Sequence, residues 1–175
     1  MTLDVTLADG YRISDDPALL DLDAIHAYLA GESYWALGRS RAVMERGIAH
    51  ALCLGLYAPG GAQAGFAKIV IDRAVAAHLG DVFVLPPHRG GGRGVALVRA
   101  AIEHPELLTV QRWTLTTRDA HTLYERFGFE RATAEHKHVL VQEGGNWCSW
   151  GRKLDKLIAG NAALRALVDD NHVLV

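Results

Sequence analysis

Short apolar runs separated by glycine and proline predict the strands of this chain. Hydrophobic and polar positions alternate over residues 5–14 around Asp9-Gly10, a pair typical of a hairpin turn. Other runs rich in β-branched and aromatic residues are bounded by Pro59-Gly60-Gly61 and Pro86-Pro87. Further strands are expected at Leu52–Tyr57, Ala64–Ile71, His78–Leu85, Trp113–Thr116, Phe129–Ala132 and Lys137–Val141.

Apolar positions spaced three and four residues apart predict the helices. Asp119 is expected to cap one of them. The helices are expected at Leu19–Leu29, Arg39–His50, Arg93–His104 and Ala120–Arg126, with an interrupted pattern over Leu154–Val168. Because helix-linked and hairpin-linked strands are mixed along the chain, the fold class is predicted to be α/β (or α+β) with a mixed sheet rather than a fully parallel one.

Composition and charge exclude several classes of protein. The 175 residues are 50% hydrophobic and carry a formal net charge of −2, which is typical of a globular chain and gives no global attraction to nucleic acid. No run of about 18 apolar residues occurs, so no membrane span is expected. With no signal-peptide pattern and no zinc-like spacing around Cys53 and Cys148, we expect a reduced, cytoplasmic protein without a metal.

A glycine-rich loop between a strand and a helix is the most informative segment. Glycines let backbone N–H groups turn toward a ligand, and a helix N-terminus adds unpaired N–H groups, so residues 89–94 predict a phosphate or pyrophosphate site. Arg89 and Arg93 are expected to add charge to it. Val95 and Ala96 stand where a Walker A loop needs Lys and Ser/Thr, and the Rossmann glycine spacing also fails.

Two motifs give the chain a resemblance to a known family. Arg89-Gly90-Gly91-Gly92-Arg93-Gly94 matches Arg/Gln-x-x-Gly-x-Gly/Ala, the acyl-CoA pyrophosphate motif of the GNAT superfamily of N-acyltransferases. Residues 119–129 resemble that family's A-x-x-L-Y-x-x-x-G-F segment. The resemblance implies a GNAT domain over residues 1–141 with a mostly antiparallel sheet and splayed central strands. Residues 142–175 are then expected to form a C-terminal helical extension, packed on this domain or on a dimer partner.

The resemblance implies a role for each cofactor-binding residue. The backbone of Phe83, Val84 and Leu85 would pair with the pantetheine arm of acetyl-CoA, as an added strand does. The amides of Arg89, Gly90, Gly91, Gly92, Arg93 and Gly94 would hold the pyrophosphate. A backbone N–H near Val84 would polarise the thioester carbonyl. Tyr124 would contact the cofactor and protonate the departing thiolate.

The general base and the acceptor pocket are less closely specified. Asp81 and Glu32 are the candidate bases, although Asp81 also suits a structural role at a strand end and Glu32 an ordinary position at a helix end. Aromatic faces hold cations, so Tyr28, Tyr34 and Trp35 are expected to wall the pocket for the acceptor amine. His121 precedes Tyr124 by three residues on the same helix face, so it is expected to bring a titrating group to the substrate near the thioester. His136 and His138 supply only two ligands, which does not make a metal site.

Three functions are open from the sequence. The first is an acetyl-CoA-dependent N-acetyltransferase that acts on a primary amine of a small molecule. The second is a non-catalytic acyl-CoA sensor with the same fold. The third is an RNA-associated module using Arg89 and Arg93, which the acidic net charge disfavours.

Overall fold

A computed structural model describes residues 2–130, 138–140, 160–161 and 172–174. The chain forms two compact units, Met1–Phe129 and Glu130–Val175. In the second unit, strand β7 (His138–Leu140) pairs in parallel with strand β8 (His172–Leu174), and β7 lies within the predicted strand 137–141. The helical pattern predicted over 154–168 lies outside the described residues, apart from two positions.

The first unit is built on a six-stranded sheet with the strand order β1-β2-β3-β4-β5-β6. Neighbouring strands are antiparallel except for β5 and β6, which are parallel. This mixed, mostly antiparallel sheet confirms the predicted fold class. The strands of the chain are β1 (Asp4–Thr6), β2 (Arg12–Ser14), β3 (Leu52–Tyr57), β4 (Gln63–Ile71), β5 (Ala76–Val84), β6 (Arg112–Leu115), β7 (His138–Leu140) and β8 (His172–Leu174).

Helices cover both faces of the sheet because alternate strand residues point to opposite sides. On one face, Leu54 and Leu56 of β3 join α3 in one apolar core. On the other face, Phe66 of β4 and Phe83 of β5 pack with α1 and α2. The helices are α1 (Leu22–Gly31), α2 (Arg41–Ala49), α3 (Arg93–Ile102) and α4 (His121–Glu125).

The pairing of β5 with β6 stops halfway along β5. Only Ala76–Leu79 pair with β6, while β5 continues to Val84. On the side of β4, the register places both Asp81 and Val82 opposite one residue, which is a β-bulge, and Asp81 has a left-handed φ of 51°. The diverging strands therefore open a gap beside the second half of β5, as the predicted splay requires.

Two local predictions were wrong. Phe129 and Glu130 lie outside regular structure, and the rest of the strand predicted at Phe129–Ala132 lies outside the described residues. The N-cap position of α4 belongs to Ala120 rather than Asp119, and the backbone N–H of Ala120 donates to Thr117 Oγ1 over 3.1 Å. Among the described residues no side chain caps α4, and the Thr117 hydroxyl binds the residue at the N-cap position instead.

Candidate functional site

Two cavities meet at the gap beside β5. One, the glycine-loop cavity, has a volume of about 430 Å³ and extends from Gly90 and Gly94 to Tyr124. The other, the Asp81 cavity, has a volume of about 440 Å³ and includes Arg39, Lys68 and Asp81. Six residues line both cavities and so mark their junction. These are Tyr34, Trp35, Val82, Asp119, Ala120 and Tyr124.

The glycine loop presents open backbone at the start of α3. Gly90, Gly91 and Gly92 have φ values of 86°, 59° and 75°, which glycine adopts without strain. A Cβ atom at Gly90 or Gly92 would meet no atom within 4 Å. Within the described part of the chain, the N–H groups of Gly91, Gly92 and Gly94 have no protein acceptor. The loop therefore offers unpaired donors at a helix N-terminus, which suits a phosphate group.

The Arg93 guanidinium lies beside Gly91 but already has partners in the protein. Its Nε donates to Asp9 Oδ2 over 2.9 Å, and its guanidinium lies 4.0 Å from the centre of the Tyr11 ring. Arg93 Nη1 donates to the carbonyl of His88 over 3.1 Å. The positive charge of Arg93, which was expected to bind the anion, is therefore already paired with Asp9. Arg93 instead connects the loop to the β1–β2 hairpin.

Arg89 lies inside the glycine-loop cavity and contacts β5. Its Nε donates to the carbonyl of Val84 over 3.1 Å, and its Nη2 donates to the Tyr28 hydroxyl over 3.2 Å. Neither partner is charged, so the guanidinium has no paired carboxylate in the described residues. Arg89 thus keeps its positive charge for an anion.

Only one of the three residues expected to face the gap presents its backbone there. The N–H of Leu85 donates to the carbonyl of Ala64, and Phe83 is in register with Phe66 of β4. Because backbone groups alternate along a strand, the N–H and C=O of Val84 point to the open side. The prediction for Phe83 and Leu85 therefore needs correction. The backbone of Phe83 and the N–H of Leu85 face β4, the carbonyl of Leu85 accepts from the N–H of His88, and the Phe83 ring lies in the core.

Tyr124 lies where the two cavities join. Its side chain is buried on α4 and contacts the Phe129 ring edge-on, with 5.9 Å between ring centres. Burial, together with the nearby Tyr34 and Asp119, raises the pKa of Tyr124 to about 12. The phenol therefore keeps its proton at neutral pH, as a proton donor must.

Asp81 is held by three side chains from other elements. Trp35 Nε1 donates to Oδ1 over 3.1 Å, while Arg39 Nη1 and Lys68 Nζ donate to Oδ2 over 2.7 and 2.5 Å. Burial acts to raise the pKa of Asp81, but the hydrogen bonds from Arg39 and Lys68 outweigh it and hold the pKa below its ordinary value. A carboxylate this stable as an anion is a weak base, so its environment favours the structural role over proton transfer.

The other candidate residues divide between the cavities and their surroundings. Glu32 follows α1, is exposed, and lines the glycine-loop cavity. Tyr28 stacks on Phe83 with 4.2 Å between ring centres and reaches only the glycine-loop cavity, so it does not line the Asp81 cavity. His121 begins α4 and lines neither cavity, although it lies three residues before Tyr124 on the same helix face. Its expected acceptor contact is therefore absent from this geometry.

A contact between two loops crosses the junction of the cavities and was missed from the sequence. The hydroxyl of Tyr34 accepts a hydrogen bond from the backbone N–H of Arg118 over 2.9 Å. The Arg118 guanidinium lies 3.9 Å from the centre of the Tyr34 ring. This contact joins the loop after α1 to the loop after β6, and nothing local in either segment signals it.

The described residues contain neither a cluster of metal-ligating side chains nor a helix able to span a membrane. Within them, no group of three His, Cys, Asp or Glu side chains is placed to hold a metal ion. In the same part of the chain, no helix has the length and apolar character needed to cross a bilayer.

The sequence of this chain is similar to those of acetyltransferases. A family model described as "Acetyltransferase (GNAT) domain" matches residues 49–131. A protein of Gibberella zeae named "Putative acetyltransferase FG08082" is 30% identical over 142 residues, which cover 69% of this chain and 79% of that protein.

Solved structures extend the comparison to three dimensions. A "putative acetyltransferase belonging to the gnat family" from Xanthomonas campestris pv. campestris is 43% identical, with a TM-score of 0.67 over 70% of this chain and 85% of that one. N-acetylglutamate synthase from Neisseria gonorrhoeae, solved with coenzyme A and N-acetyl-glutamate, is 21% identical and shares the fold, with a TM-score of 0.58 over 70% of this chain and 29% of that one.

Proposed function

Because this chain belongs to the GNAT family of acetyltransferases, we propose that it transfers the acetyl group of acetyl-CoA to a primary amine nitrogen of a small molecule. Acyl-CoA-dependent acetyl transfer follows from the family; the amine acceptor and direct attack are our proposal. The observation that carries it is the row of backbone amides at Gly91, Gly92 and Gly94, which have no acceptor among the described residues and stand at the end of a cavity that Gly94 lines and that extends to Tyr124.

The glycine loop fits the pyrophosphate of coenzyme A. Its N–H groups and the N-terminus of α3 supply donors and a partial positive charge for an anion. Arg89 supplies a full charge at the same place. Since Arg89 also donates to the carbonyl of Val84, turning toward a phosphate would free that carbonyl. The backbone of Val84 would then be available at the open side of β5 for the pantetheine amides.

The residues at the junction of the cavities would carry the chemistry. The amine nitrogen attacks the thioester carbonyl carbon, the C–N bond forms, and the C–S bond breaks. Tyr124 donates its phenol proton to the departing thiolate and is reprotonated from solvent. Val82 lines both cavities and lies on the open part of β5, so its backbone N–H is our candidate for stabilising the carbonyl oxygen, rather than that of Val84.

Glu32 is our candidate for the base. It is exposed, forms no ion pair among the described residues, and lines the glycine-loop cavity beside Tyr34 and Trp35. The acceptor amine would lose its proton to Glu32, directly or through water. Asp81 in our proposal positions Trp35 instead, because its carboxylate is already engaged by two cations.

Two measurements test this function. Acetyl-CoA should raise the melting temperature, since a ligand that binds only the folded protein stabilises it. A panel of primary amines should then release the coenzyme A thiol. Binding without thiol release from any amine would favour the sensor function, and the absence of a thermal shift would remove the proposal. A cytoplasmic location, a homodimer and the absence of a nucleic-acid partner stay predictions.

A further inference from the structure

The Asp81 cavity carries more positive than negative charge. Three cationic side chains line it, Arg39, Lys68 and Arg118, against two carboxylates, Asp81 and Asp119. We propose that the amine acceptor also carries a carboxylate or phosphate group, which binds to Lys68, Arg39 and Arg118 in this cavity. This inference rests on the proposed acetyl transfer and names the class of its acceptor.

One carboxylate serves two of these cations. Arg39 and Lys68 both donate to the same oxygen, Oδ2, of Asp81. Their side chains are 23% and 18% exposed, and that of Asp81 is 6% exposed. A carboxylate neutralises a single unit charge, so this half-buried cluster keeps one positive charge unbalanced where water screens it poorly.

The cluster also has hydrogen-bond donors to spare. An ammonium has three N–H donors and a guanidinium five, whereas Lys68 and Arg39 each make one hydrogen bond to Asp81. The Arg118 guanidinium stacks on the Tyr34 ring and makes no hydrogen bond in the parts of the chain that the structure describes. An anion in this cavity can therefore accept charge-assisted hydrogen bonds without breaking an existing pair.

The same charge selects against simple amines. An ammonium ion brought near a net positive cluster is repelled unless it carries its own anion. Tyr124 and Asp119 lie at the junction with the glycine-loop cavity. An acceptor whose anion is held at Lys68 can therefore direct its amine to the junction, where the positive cluster favours the neutral, nucleophilic form of that amine.

Matched acceptor pairs that differ only in the anion test the inference. We would compare kcat/KM for β-alanine against β-alaninamide and for phosphoethanolamine against ethanolamine, at saturating acetyl-CoA. The first pair tests a carboxylate and the second a phosphate. Charge-assisted hydrogen bonds predict a preference of about tenfold to a hundredfold for the anionic member of at least one pair.

Variants show whether the cluster causes the preference. Lys68→Met keeps the apolar stem, and Arg118→Gln leaves the Asp81 contacts intact. Each should raise KM for the anionic acceptor about tenfold and leave the neutral one nearly unchanged. Arg99→Gln, on the exposed face of α3, is the matched control and should change neither.

Equal or better use of the neutral members, equal losses for both members in the variants, or no acetylation of either anionic acceptor would overturn the inference. Acetyl-CoA binding, read from the thermal shift in the same samples, separates these results from failure of the proposed function itself. If the shift is absent, the acetyltransferase proposal fails. If the shift is present and another amine of the panel releases the coenzyme A thiol, only the acceptor class fails.

Discussion

The indole N–H of Trp35 donates to Asp81 Oδ1 over 3.1 Å, although the two residues lie 46 positions apart. Trp35 is in the loop after α1, and Asp81 is at the bulge of β5. The hydrogen bond therefore fixes Trp35, which lines both cavities, to strand β5 beside the gap. Arg39 of the same loop and Lys68 of β4 hold the same carboxylate, so one side chain of β5 connects three elements of the site.

Replacing Asp81 should destabilise the protein in a way that depends on pH. The pKa of Asp81 lies below its ordinary value of 3.8 in the folded state, so its stabilisation is complete above about pH 5 and is lost as the pH falls through the folded pKa. We expect Asp81→Asn to lower the free energy of unfolding by about 2 kcal/mol at pH 7, because two cations lose their partner.

Urea unfolding of both proteins between about pH 3 and pH 7 measures this difference. The difference in the free energy of unfolding between the two proteins should narrow below about pH 4. Glu45→Gln is the control, since its ion pair with Arg41 is exposed and contributes little. A difference in the free energy of unfolding that stays the same at every pH would contradict the stabilising role of the ionised Asp81 carboxylate.

Tyr124→Phe should slow acetyl transfer without preventing acetyl-CoA binding. The variant keeps the ring in its buried place but removes the proton donor, and loss of a general acid lowers kcat by about a hundredfold. Steady-state thiol release gives kcat, and the thermal shift with acetyl-CoA reports binding. Unchanged kcat in Tyr124→Phe would assign the tyrosine to packing alone.

Tyr57→Phe is the matched control for that variant. The Tyr57 hydroxyl is buried and lacks a hydrogen-bond partner among the described residues. Removing it relieves an unsatisfied polar group, so we expect unchanged kcat and a gain of up to about 1 kcal/mol in stability. A large loss of activity in both variants would point to a general effect of removing a hydroxyl.

The rate should persist into alkaline conditions. Burial raises the pKa of Tyr124 to about 12, so the proton donor stays intact well above neutral pH. Deprotonation of the acceptor favours the reaction over the same range. We expect kcat/KM, measured by release of the coenzyme A thiol, to rise with pH and to reach a plateau that holds to about pH 10. A fall beginning near pH 8 would assign the donor to another group.

A side chain in the glycine loop should weaken acetyl-CoA binding. Gly92 has a φ of 75° and provides the N-cap of α3, so Gly92→Ala strains the backbone by about 1–2 kcal/mol and places a methyl group beside the open amides. We expect at least a tenfold rise in the Kd for acetyl-CoA, measured by calorimetry.

Gly60→Ala provides the comparison for this loop variant. Gly60 also has a positive φ, 103°, and free space around it, but it lies in the turn between β3 and β4. Gly60→Ala should lower the stability of the protein without weakening the binding of acetyl-CoA. If both variants bind acetyl-CoA equally well, the loop does not hold the pyrophosphate.

A buried histidine supports the N-terminal hairpin rather than the site. His104 is fully buried, its Nε2 lies 3.0 Å from Asp15 Oδ2, and its Nδ1 accepts from the backbone N–H of Glu106. That acceptor role assigns the proton to Nε2, which donates to Asp15. We expect His104→Ala to cost about 3 kcal/mol in urea unfolding with little change in KM, whereas His50→Ala, at an exposed position, costs almost nothing.

Part of the candidate site could have been found from isolated charges in apolar strands. Lys68 interrupts the apolar residues of β4, and Asp81 interrupts those of β5. A buried charge needs an opposite partner, so these two residues in consecutive antiparallel strands indicate each other. The third partner, Arg39, carries no such signal, because a cation in a loop is ordinary.

The amino-acid sequence alone determined the order of strands and helices from β1 to α4, the open glycine loop before α3, and the place of Tyr124 on α4. Each of these depends on a local pattern: hydrophobic period, glycine spacing, or a short motif. Only the tertiary structure decided that Asp81 is ion-paired, that Arg93 turns to Asp9, and that Val84 faces the gap. These outcomes depend on a bulge that changes strand alternation and on charges brought together from distant positions, which no local pattern encodes.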